Sequence, residues 1–162
     1  MLLDGKVEMQ GRDRRLIELR PIGFVSRLSP DENERERSLV AKIVFEADVA
    51  RELEGIEEWS HVYVIFWLDQ VVQGAQPELC HQGSDVGTLA ARSPRHPNPI
   101  GLTLVELVRR EGNVLWVRGL DAYDGTPVLD VKPYPDWDQG RFIVVTDFKV
   151  PGWLTAIMER HG

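Results

Sequence analysis

This 162-residue chain has a single cysteine, no long apolar run and no surplus of basic residues. Cys80 is the one cysteine, which excludes an intrachain disulfide and any zinc site built from several thiolates. The longest apolar run, Val62 to Leu68, is far shorter than the roughly 18 residues of a membrane-spanning helix, so we expect no membrane span. Nineteen Lys and Arg residues against 26 Asp and Glu residues give a net charge of −7, which opposes general attraction to a polyphosphate backbone. Any contact with nucleic acid must therefore be local.

The common motifs for nucleotide, metal and acyl chemistry are missing as well. The sequence contains no G-x-G-x-x-G, no G-x-x-x-x-G-K-[ST], no H-E-x-x-H and no G-x-S-x-G. The four histidines do not have the spacing of metal ligands, so we expect no metal site. The opening segment lacks the apolar stretch of a secretory signal, and we therefore expect a cytoplasmic protein.

What the sequence does contain is a series of short β-branched and aromatic segments, cut by Gly, Pro, Asn and Asp in the manner typical of strands. We predict strands over Arg15 to Arg27, Leu39 to Phe45, His61 to Trp67, Gly87 to Ala91, Leu102 to Arg109, Val114 to Arg118 and Val128 to Lys132. A tight hairpin is expected at Arg110 to Asn113, and short helices packed on the sheet are expected at Ala47 to Glu58 and Pro151 to Arg160.

These segments indicate the fold class. Because the helical segments are few and do not alternate with the strands, we predict a mainly β fold, a small antiparallel β-barrel with one or two short helices. The length suits one domain. We expect a loosely held N-terminal extension over residues 1–14 and a single barrel domain over residues 15–162.

The segment richest in chemical information is ARSPRHPNPIGL, from Ala91 to Leu102, in which three prolines and a glycine fix the backbone. A stiff loop of this kind presents charged and amide side chains at little entropic cost, as a binding site requires. The alternative is a structural corner between two strands with solvated arginines. Spacing alone favours neither interpretation.

Two further segments carry polar groups at turns or strand ends. Gly119 to Tyr134 contains the turn Asp124-Gly125-Thr126-Pro127, and Trp59 to Gln70 is an apolar strand that ends in an acid and an amide. Asp-Gly turns and strand-end carboxylates are common without a function, so each segment taken singly favours a structural role.

Together, the three segments resemble the TrmO-like (TsaA-like) family of S-adenosylmethionine-dependent tRNA methyltransferases. The family patterns FSHxWVLFxFHQ, VGVFATRSPHRPNPIGxSxVxL and GLDxxDGTPVxDIKPY have counterparts in Trp59 to Gln70, Val86 to Leu107 and Gly119 to Tyr134, in the same order and with similar gaps. The resemblance runs from about Ile22 to Trp137. It implies a small β-barrel and a homodimer with S-adenosyl-L-methionine bound near the subunit interface. It also implies methylation of N6 of N6-threonylcarbamoyladenosine at tRNA position 37.

The resemblance also implies which residues bind the cofactor. They are Asp69, Gln70, Arg92, Leu104, Asp124, Gly125, Thr126 and Pro127. Arg92 would pair with the methionine carboxylate in a bidentate fork. The turn would offer backbone groups and a carboxylate to the ribose, the adenine or the amino group.

Transfer of a methyl group from a sulfonium is an in-line displacement that needs alignment rather than a nucleophile on the protein. A base would help to remove the proton of the carbamoylated N6, and the candidate catalytic residues for this are Asp124 and His96. The alternative for each is structural, with Asp124 holding its own turn and His96 packed between prolines.

Binding of the tRNA substrate has its own candidates. These are Arg95, Asn98, Lys132 and Tyr134. A local basic patch would draw on Arg92, Arg95, Lys132 and Arg141, and base stacking would use Tyr134 or Trp137.

The chain departs from the family pattern at two places that bear on the substrate. Asp69 stands where the family usually has His, and Arg95-His96 stands where it usually has His-Arg. Two other functions therefore stay open. One is a methyltransferase with a small-molecule acceptor, and the other is a non-enzymatic barrel that binds a nucleoside-like ligand as a sensor.

Overall fold

The computed structural model describes residues 17–27, 39–70, 87–92 and 94–134. Within that part of the chain the strands are β1 Gly23–Ser26, β2 Val40–Phe45, β3 His61–Trp67, β4 Ile100–Glu111, β5 Val114–Arg118 and β6 Pro127–Pro133. They close into a barrel in the order β1-β2-β5-β4-β3-β6, and all neighbouring strands are antiparallel. The predicted fold class, a mainly β protein with a small antiparallel barrel, is confirmed.

The barrel interior is filled by alternate side chains, because successive residues of a strand point to opposite faces of the sheet. On β3, for example, Val62, Val64 and Phe66 are buried, whereas Tyr63 and Ile65 are only partly buried. The buried apolar core consists of Val25, Ala41, Ile43, Phe45, Leu53, Val62, Val64, Phe66, Val105, Leu107, Leu115, Val117, Leu120, Ala122 and Val128. A barrel this narrow is packed with side chains, so a ligand must bind at its rim or on its outer face.

Two 3-10 helices, Ala47–Leu53 and Ile56–Glu58, connect β2 to β3. Gly55 separates them in the left-handed conformation, with φ of 83°, which costs a glycine little. Leu53 is buried and Ile56 packs against the core. The helical segment expected over Ala47 to Glu58, with Gly55 interrupting it, is thus two 3-10 pieces on either side of that glycine, and it packs on the sheet as expected.

Several predicted strands agree with the structure. β3 and β5 have the predicted ends, and β2 begins one residue later than predicted. β4 is longer at both ends and β6 is extended by the prolines that flank it. The predicted hairpin joins β4 to β5, with Glu111 opposite Val114 and Gly112 at φ of 60°.

Two strand predictions need correction. Gly87 to Ala91 is not a strand, because Thr88–Ala90 forms a 3-10 helix and Leu89 is 74% exposed. A closed barrel has no free edge with which a further strand could pair. β1 is also much shorter than Arg15 to Arg27, since residues 17–22 lie outside any strand.

Other predictions fall on residues outside the described ranges. These are the helix over Pro151 to Arg160 and the N-terminal extension over residues 1–14. In the part of the chain that the structure covers, no helix has both the length and the apolar character to cross a membrane.

Candidate functional site

Three chain connections meet at one end of the barrel, as a consequence of antiparallel pairing. β3 ends where β4 and β6 begin: Trp67 lies opposite Ile100, and Phe66 lies opposite Val128. β1 ends there too, because it runs antiparallel to β6 and pairs with its first residues. The fold therefore brings together the end of the Trp59 to Gln70 segment, the proline-rich loop and the Asp124 turn, which are far apart in sequence.

The Asp124 turn is held rigidly at this end. The N–H of Thr126 donates to the carbonyl of Tyr123 at 3.2 Å, and the N–H of Gly125 donates to the carbonyl of Val25 at 2.9 Å. Gly125 has φ of 75°, in the left-handed region that glycine adopts easily. Asp124 and Gly125 are exposed, whereas Thr126 is buried. The turn thus presents a carboxylate to solvent on a fixed backbone.

Gln70 connects the end of β3 to this turn. Its side-chain Nε2 donates to the backbone carbonyl of Asp124 at 3.1 Å. Asp69 lies beside it, and both side chains are exposed. Two groups that the resemblance implies for cofactor binding, the strand end and the turn, are therefore in direct contact.

The proline-rich loop is fixed to the same strand end. The N–H of Leu68 donates to the carbonyl of Pro99 at 2.8 Å. Within the loop, His96 Nε2 donates to the carbonyl of Ala91 at 2.7 Å. Since a carbonyl only accepts, Nε2 carries a proton, and Nδ1 is the nitrogen that remains as an acceptor in a neutral ring.

Arg92 extends this loop towards β4. Its Nη2 donates to the carbonyl of Leu102 at 2.6 Å, and the side chain is exposed. A guanidinium has five N–H donors, so this contact orients the group and leaves other donors for a carboxylate. Of the other loop candidates, Arg95 is partly buried and Asn98 is exposed.

The remaining candidates form a second group, part-way along β3 rather than at its end. Leu104 and Lys132 lie opposite Tyr63 on its two sides. The ring of Tyr134 packs edge-to-face on Tyr63, with centroids 5.4 Å apart and an interplanar angle of 86°. Lys132 Nζ lies 2.8 Å from the carboxylate of Asp130. The structure therefore divides the predicted site into two groups. The rim group comprises Asp69, Gln70, the loop residues Arg92, Arg95, His96 and Asn98, and the turn from Asp124 to Pro127. The outer-face group comprises Leu104, Lys132 and Tyr134. Arg141 and Trp137 lie outside the described residues.

Two carboxyl groups with a lowered pKa lie away from the rim group. The pKa of Glu57 is lowered chiefly by a backbone hydrogen bond from its own N–H, and the pKa of Glu111 chiefly by a hydrogen bond from Arg109. Glu111 ends β4, at the opposite end of that strand from the rim group.

An open cavity of about 570 Å³ lies elsewhere on the surface. It is lined by Arg20, Pro21, Phe24 and residues 46–49, and it shares no residue with the predicted site. Among the described residues, no cluster of three or more His, Cys, Asp or Glu side chains could hold a metal ion.

One residue at the rim has no counterpart among the sequence-based candidates. The backbone N–H of Arg27 donates to Asp124 Oδ1 at 2.7 Å, and its guanidinium reaches the backbone just before the turn. The two residues are 97 positions apart in the chain. No sequence motif signals the contact, which arises only because β1 pairs with β6.

The fold and this rim define a class of protein: a small closed β-barrel whose candidate site is built from loops at one end, and whose sequence has no G-x-G-x-x-G motif. The family described as tRNA-methyltransferase O N-terminal domain matches residues 26–139. The chain belongs to this family, and the resemblance drawn from its motifs is confirmed.

Sequence relatives and solved structures agree with that family. A protein of Archaeoglobus fulgidus named a probable S-adenosyl-L-methionine-binding protein is 40% identical over 127 residues, which are 74% of this chain and 34% of that protein. The tRNA (adenine(37)-N6)-methyltransferase of Mus musculus is 43% identical over 115 residues, 67% of this chain and 24% of the enzyme. The crystal structure of TrmO from P. aeruginosa matches with a TM-score of 0.67 and 26% identity, covering 87% of this chain and 63% of that one. This chain thus spans about a third and about a quarter of the two sequence relatives.

Proposed function

We propose that this protein is an S-adenosyl-L-methionine-dependent methyltransferase that acts on N6 of N6-threonylcarbamoyladenosine at position 37 of tRNA. One observation carries the proposal: the three segments of the family resemblance meet at one end of the barrel, through the Leu68 to Pro99 and Gln70 to Asp124 hydrogen bonds. The names of the Archaeoglobus and mouse relatives support the cofactor and the reaction.

The chemistry of the rim suits S-adenosyl-L-methionine. Asp69 and Asp124 offer carboxylates to ribose hydroxyls or the amino group, and Arg92 offers N–H donors to the methionine carboxylate. A Cβ added at Gly125 would meet no described atom within 4 Å, so no described residue fills the space beside the turn. We assign cofactor binding to Asp69, Gln70, Arg92, Leu104, Asp124, Gly125, Thr126 and Pro127.

When bound, S-adenosyl-L-methionine would supply an electrophilic methyl group for N6, which would give up its proton, and the neutral thioether would be the leaving group. The chain's part is to align the two reactants and to accept the proton. His96 can accept only at Nδ1, because Nε2 is held by Ala91. Asp124 can accept while its Oδ1 stays hydrogen-bonded to the N–H of Arg27, since a carboxylate has several lone pairs.

The direct test is to incubate the purified protein with methyl-labelled S-adenosyl-L-methionine and tRNA that carries N6-threonylcarbamoyladenosine, and then to identify labelled nucleosides. We expect label in the N6-methylated form of that nucleoside. The matched control is the same tRNA without the threonylcarbamoyl group, on which no label should appear. Cofactor binding without any label on tRNA contradicts the proposed substrate.

The proton-accepting role of His96 has a separate test. His96→Ala should keep cofactor binding and lose most turnover, measured by isothermal titration and by methyl transfer. His61→Ala is the matched control, because the His61 ring bonds the neighbouring Ser60 hydroxyl and lies at the start of β3, away from the rim group. Wild-type turnover in His96→Ala would remove that residue from the mechanism.

We assign contacts with tRNA to Arg95, Asn98, Lys132 and Tyr134. Because the chain has a net charge of −7, these contacts must act as a local patch, and tRNA affinity should fall as salt rises. A flat salt response argues against that patch.

A small-molecule acceptor is the second candidate. The acidic balance, Asp69 in place of His and the exchanged order of Arg95 and His96 favour it. The discriminating measurement is whether tRNA changes the melting temperature or the electrophoretic mobility of the protein. A sensor that binds the cofactor without consuming it would show binding and no product with any acceptor.

The proposal includes a homodimer. β4 presents four apolar side chains on its outer face, Ile100, Leu102, Leu104 and Val108, each between 37% and 47% exposed. Partly exposed apolar side chains that lie together, as in this apolar stripe, favour an interaction surface. A second copy bound there would cover Leu104 and bring groups of the second subunit towards the outer-face group.

The cytoplasmic location and the domain division at residue 15 remain predictions.

A further inference from the structure

The backbone between β5 and β6 receives unusual support from Arg27, which follows β1 directly. The Nη2 atom of Arg27 donates to the carbonyls of Leu120 and Ala122, at 2.8 and 2.6 Å, and Nε is 3.2 Å from the carbonyl of Ala122. The backbone N–H of Arg27 adds the bond to Asp124 Oδ1 at 2.7 Å. One residue thus holds three points along the stretch that leads into the Asp124 turn.

The local backbone has buried carbonyls that need hydrogen-bond donors. Leu120 and Ala122 lie between strands, and their side chains are buried, at 0% and 2% exposure. Neither residue is paired with a strand, and within the described part of the chain no backbone N–H donates to their carbonyls. Buried carbonyls without partners are costly, so a guanidinium that reaches both fixes the path of the segment.

The path of that segment sets the position of the Asp124 carboxylate and of the turn backbone. Ligand-binding groups must be held within about 0.5 Å of their productive geometry by the residues around them. On the basis of the proposed function, we propose that Arg27 is a positioning residue for the cofactor: it orients the Asp124 turn for S-adenosyl-L-methionine without touching the ligand.

Contact with the carbonyls of Leu120 and Ala122 together requires the several N–H donors of a guanidinium. The substitution Arg27→Lys keeps the charge and an aliphatic stem, but an ammonium is a point donor that cannot copy the planar geometry of a guanidinium. Substitution of the side chain leaves the bond from the backbone N–H to Asp124 available. Arg27→Ala and Arg27→Lys therefore test the guanidinium itself.

The matched control is Arg118→Ala. Arg118 is also an arginine at a strand end, its Nη1 lies 2.6 Å from Glu106, and its side chain is 45% exposed. It lies at the end of β5, and its hydrogen bond goes to Glu106 on β4 rather than to a rim residue.

The experiment measures KM for S-adenosyl-L-methionine and kcat in the full chain, with cofactor affinity from isothermal titration. We expect Arg27→Ala to raise KM and the dissociation constant about tenfold, as for loss of binding geometry. We expect kcat at saturating cofactor to change much less, because the backbone N–H of residue 27 still holds the Asp124 carboxylate. Arg27→Lys should lie between wild type and Arg27→Ala, and Arg118→Ala should match wild type. A purely structural role would instead reduce the fraction of active protein, which lowers kcat and binding stoichiometry but leaves KM unchanged.

Each outcome is decisive. A wild-type KM in Arg27→Ala overturns the inference and leaves the proposed function intact, whereas a wild-type protein that binds no cofactor overturns both. If Arg27→Ala does not fold, the Arg27→Lys variant carries the test. In wild type, the cofactor should also slow amide hydrogen exchange at Gly125 and Thr126, and unchanged exchange there would contradict a role for this turn.

Discussion

Gly101 lies directly against the ring of Phe66, near the start of β4 and close to the rim. A Cβ at this position would overlap with atoms of that ring, which is itself 3% exposed and held in the core. We expect Gly101→Ala to lower the free energy of unfolding by about 1 to 3 kcal/mol, the usual cost of overpacking a core. Urea denaturation measures this.

Gly87→Ala is the control for that substitution. A Cβ at Gly87 meets no described atom within 4 Å, and Gly87 has φ of −65°, which suits any residue. The free energy of unfolding of Gly87→Ala should stay within about 0.5 kcal/mol of the wild-type value. Equal stability of the two variants would mean that Phe66 moves aside at no cost.

Glu111 provides a prediction about pH. Its pKa is lowered chiefly because it accepts a hydrogen bond from Arg109 Nε at 2.8 Å, with a further bond from Trp116 Nε1 at 3.2 Å. A carboxyl whose pKa is lower in the folded state stabilises the fold above its unfolded pKa and loses that contribution as the pH falls through the folded value. NMR titration of the carboxyl should give a pKa below that of an ordinary glutamate.

Arg109→Ala should move the pKa of Glu111 upwards, towards its ordinary value. Arg118→Ala should leave it in place, because Arg118 pairs with Glu106 instead. An unchanged titration in Arg109→Ala would show that the hydrogen bond does not persist in solution.

The rim illustrates how far single residues can be predicted from sequence. Gln70 and Asp124 each lie in a recognisable segment, and the structure places them in contact. Arg27 lies in no such segment. Its partners are 93 to 97 positions away, and its side-chain partners are backbone carbonyls, which every residue has, so the sequence does not indicate these contacts. Leu104 and Lys132 belong to the same predicted site, but strand register places them along β3 beside Tyr63.

At the scale of elements, the link between the β4–β5 hairpin and the 3-10 helices depends on Arg110. Its Nε donates to the carbonyl of Gly112 at 2.9 Å, and its Nη atoms lie 3.3 Å from Glu57 and from the carbonyl of Ala50. The side chain is only 18% exposed. We expect Arg110→Ala to lower the free energy of unfolding by about 2 kcal/mol, since hydrogen bonds to charged groups are among the stronger ones.

Arg118, a more exposed arginine in an ion pair with Glu106, is the comparison for Arg110. Arg118→Ala should cost less than about 1 kcal/mol, as is usual for exposed pairs. Urea denaturation of both variants gives the difference. A loss in Arg118→Ala as large as that in Arg110→Ala would contradict the argument from burial.

Elements are predicted well where local and long-range preferences agree. β3 and β5 alternate apolar and partly exposed side chains and pair along their whole length, so their ends are visible in the sequence. Gly87 to Ala91 also contains apolar residues, but pairing decides strands, and the closed barrel offers this segment no partner. The division of Ala47 to Glu58 into two helices depends on the left-handed conformation of Gly55, and a glycine in a sequence permits that conformation without requiring it.

At the scale of the whole molecule, the apolar stripe on β4 predicts the oligomeric state. Leu102 is 47% exposed on that stripe, whereas Val44 is 39% exposed on β2, which is not adjacent to β4 in the barrel. Leu102→Gln should weaken the proposed homodimer, and Val44→Gln should not. Light scattering after size exclusion gives the mass of each variant, and a wild-type protein that is monomeric at all concentrations would contradict the prediction.

The closure of the barrel is unequal around its circumference. β3 and β4 pair at seven positions, but β1 and β6 pair at two, Gly23 with Val128 and Phe24 with Pro127. Local unfolding starts where few contacts must be broken, so this seam is expected to open first on heating. The same seam holds Arg27 and the Asp124 turn. Thermal inactivation should therefore precede global melting, with most of the barrel still intact when the candidate site is lost.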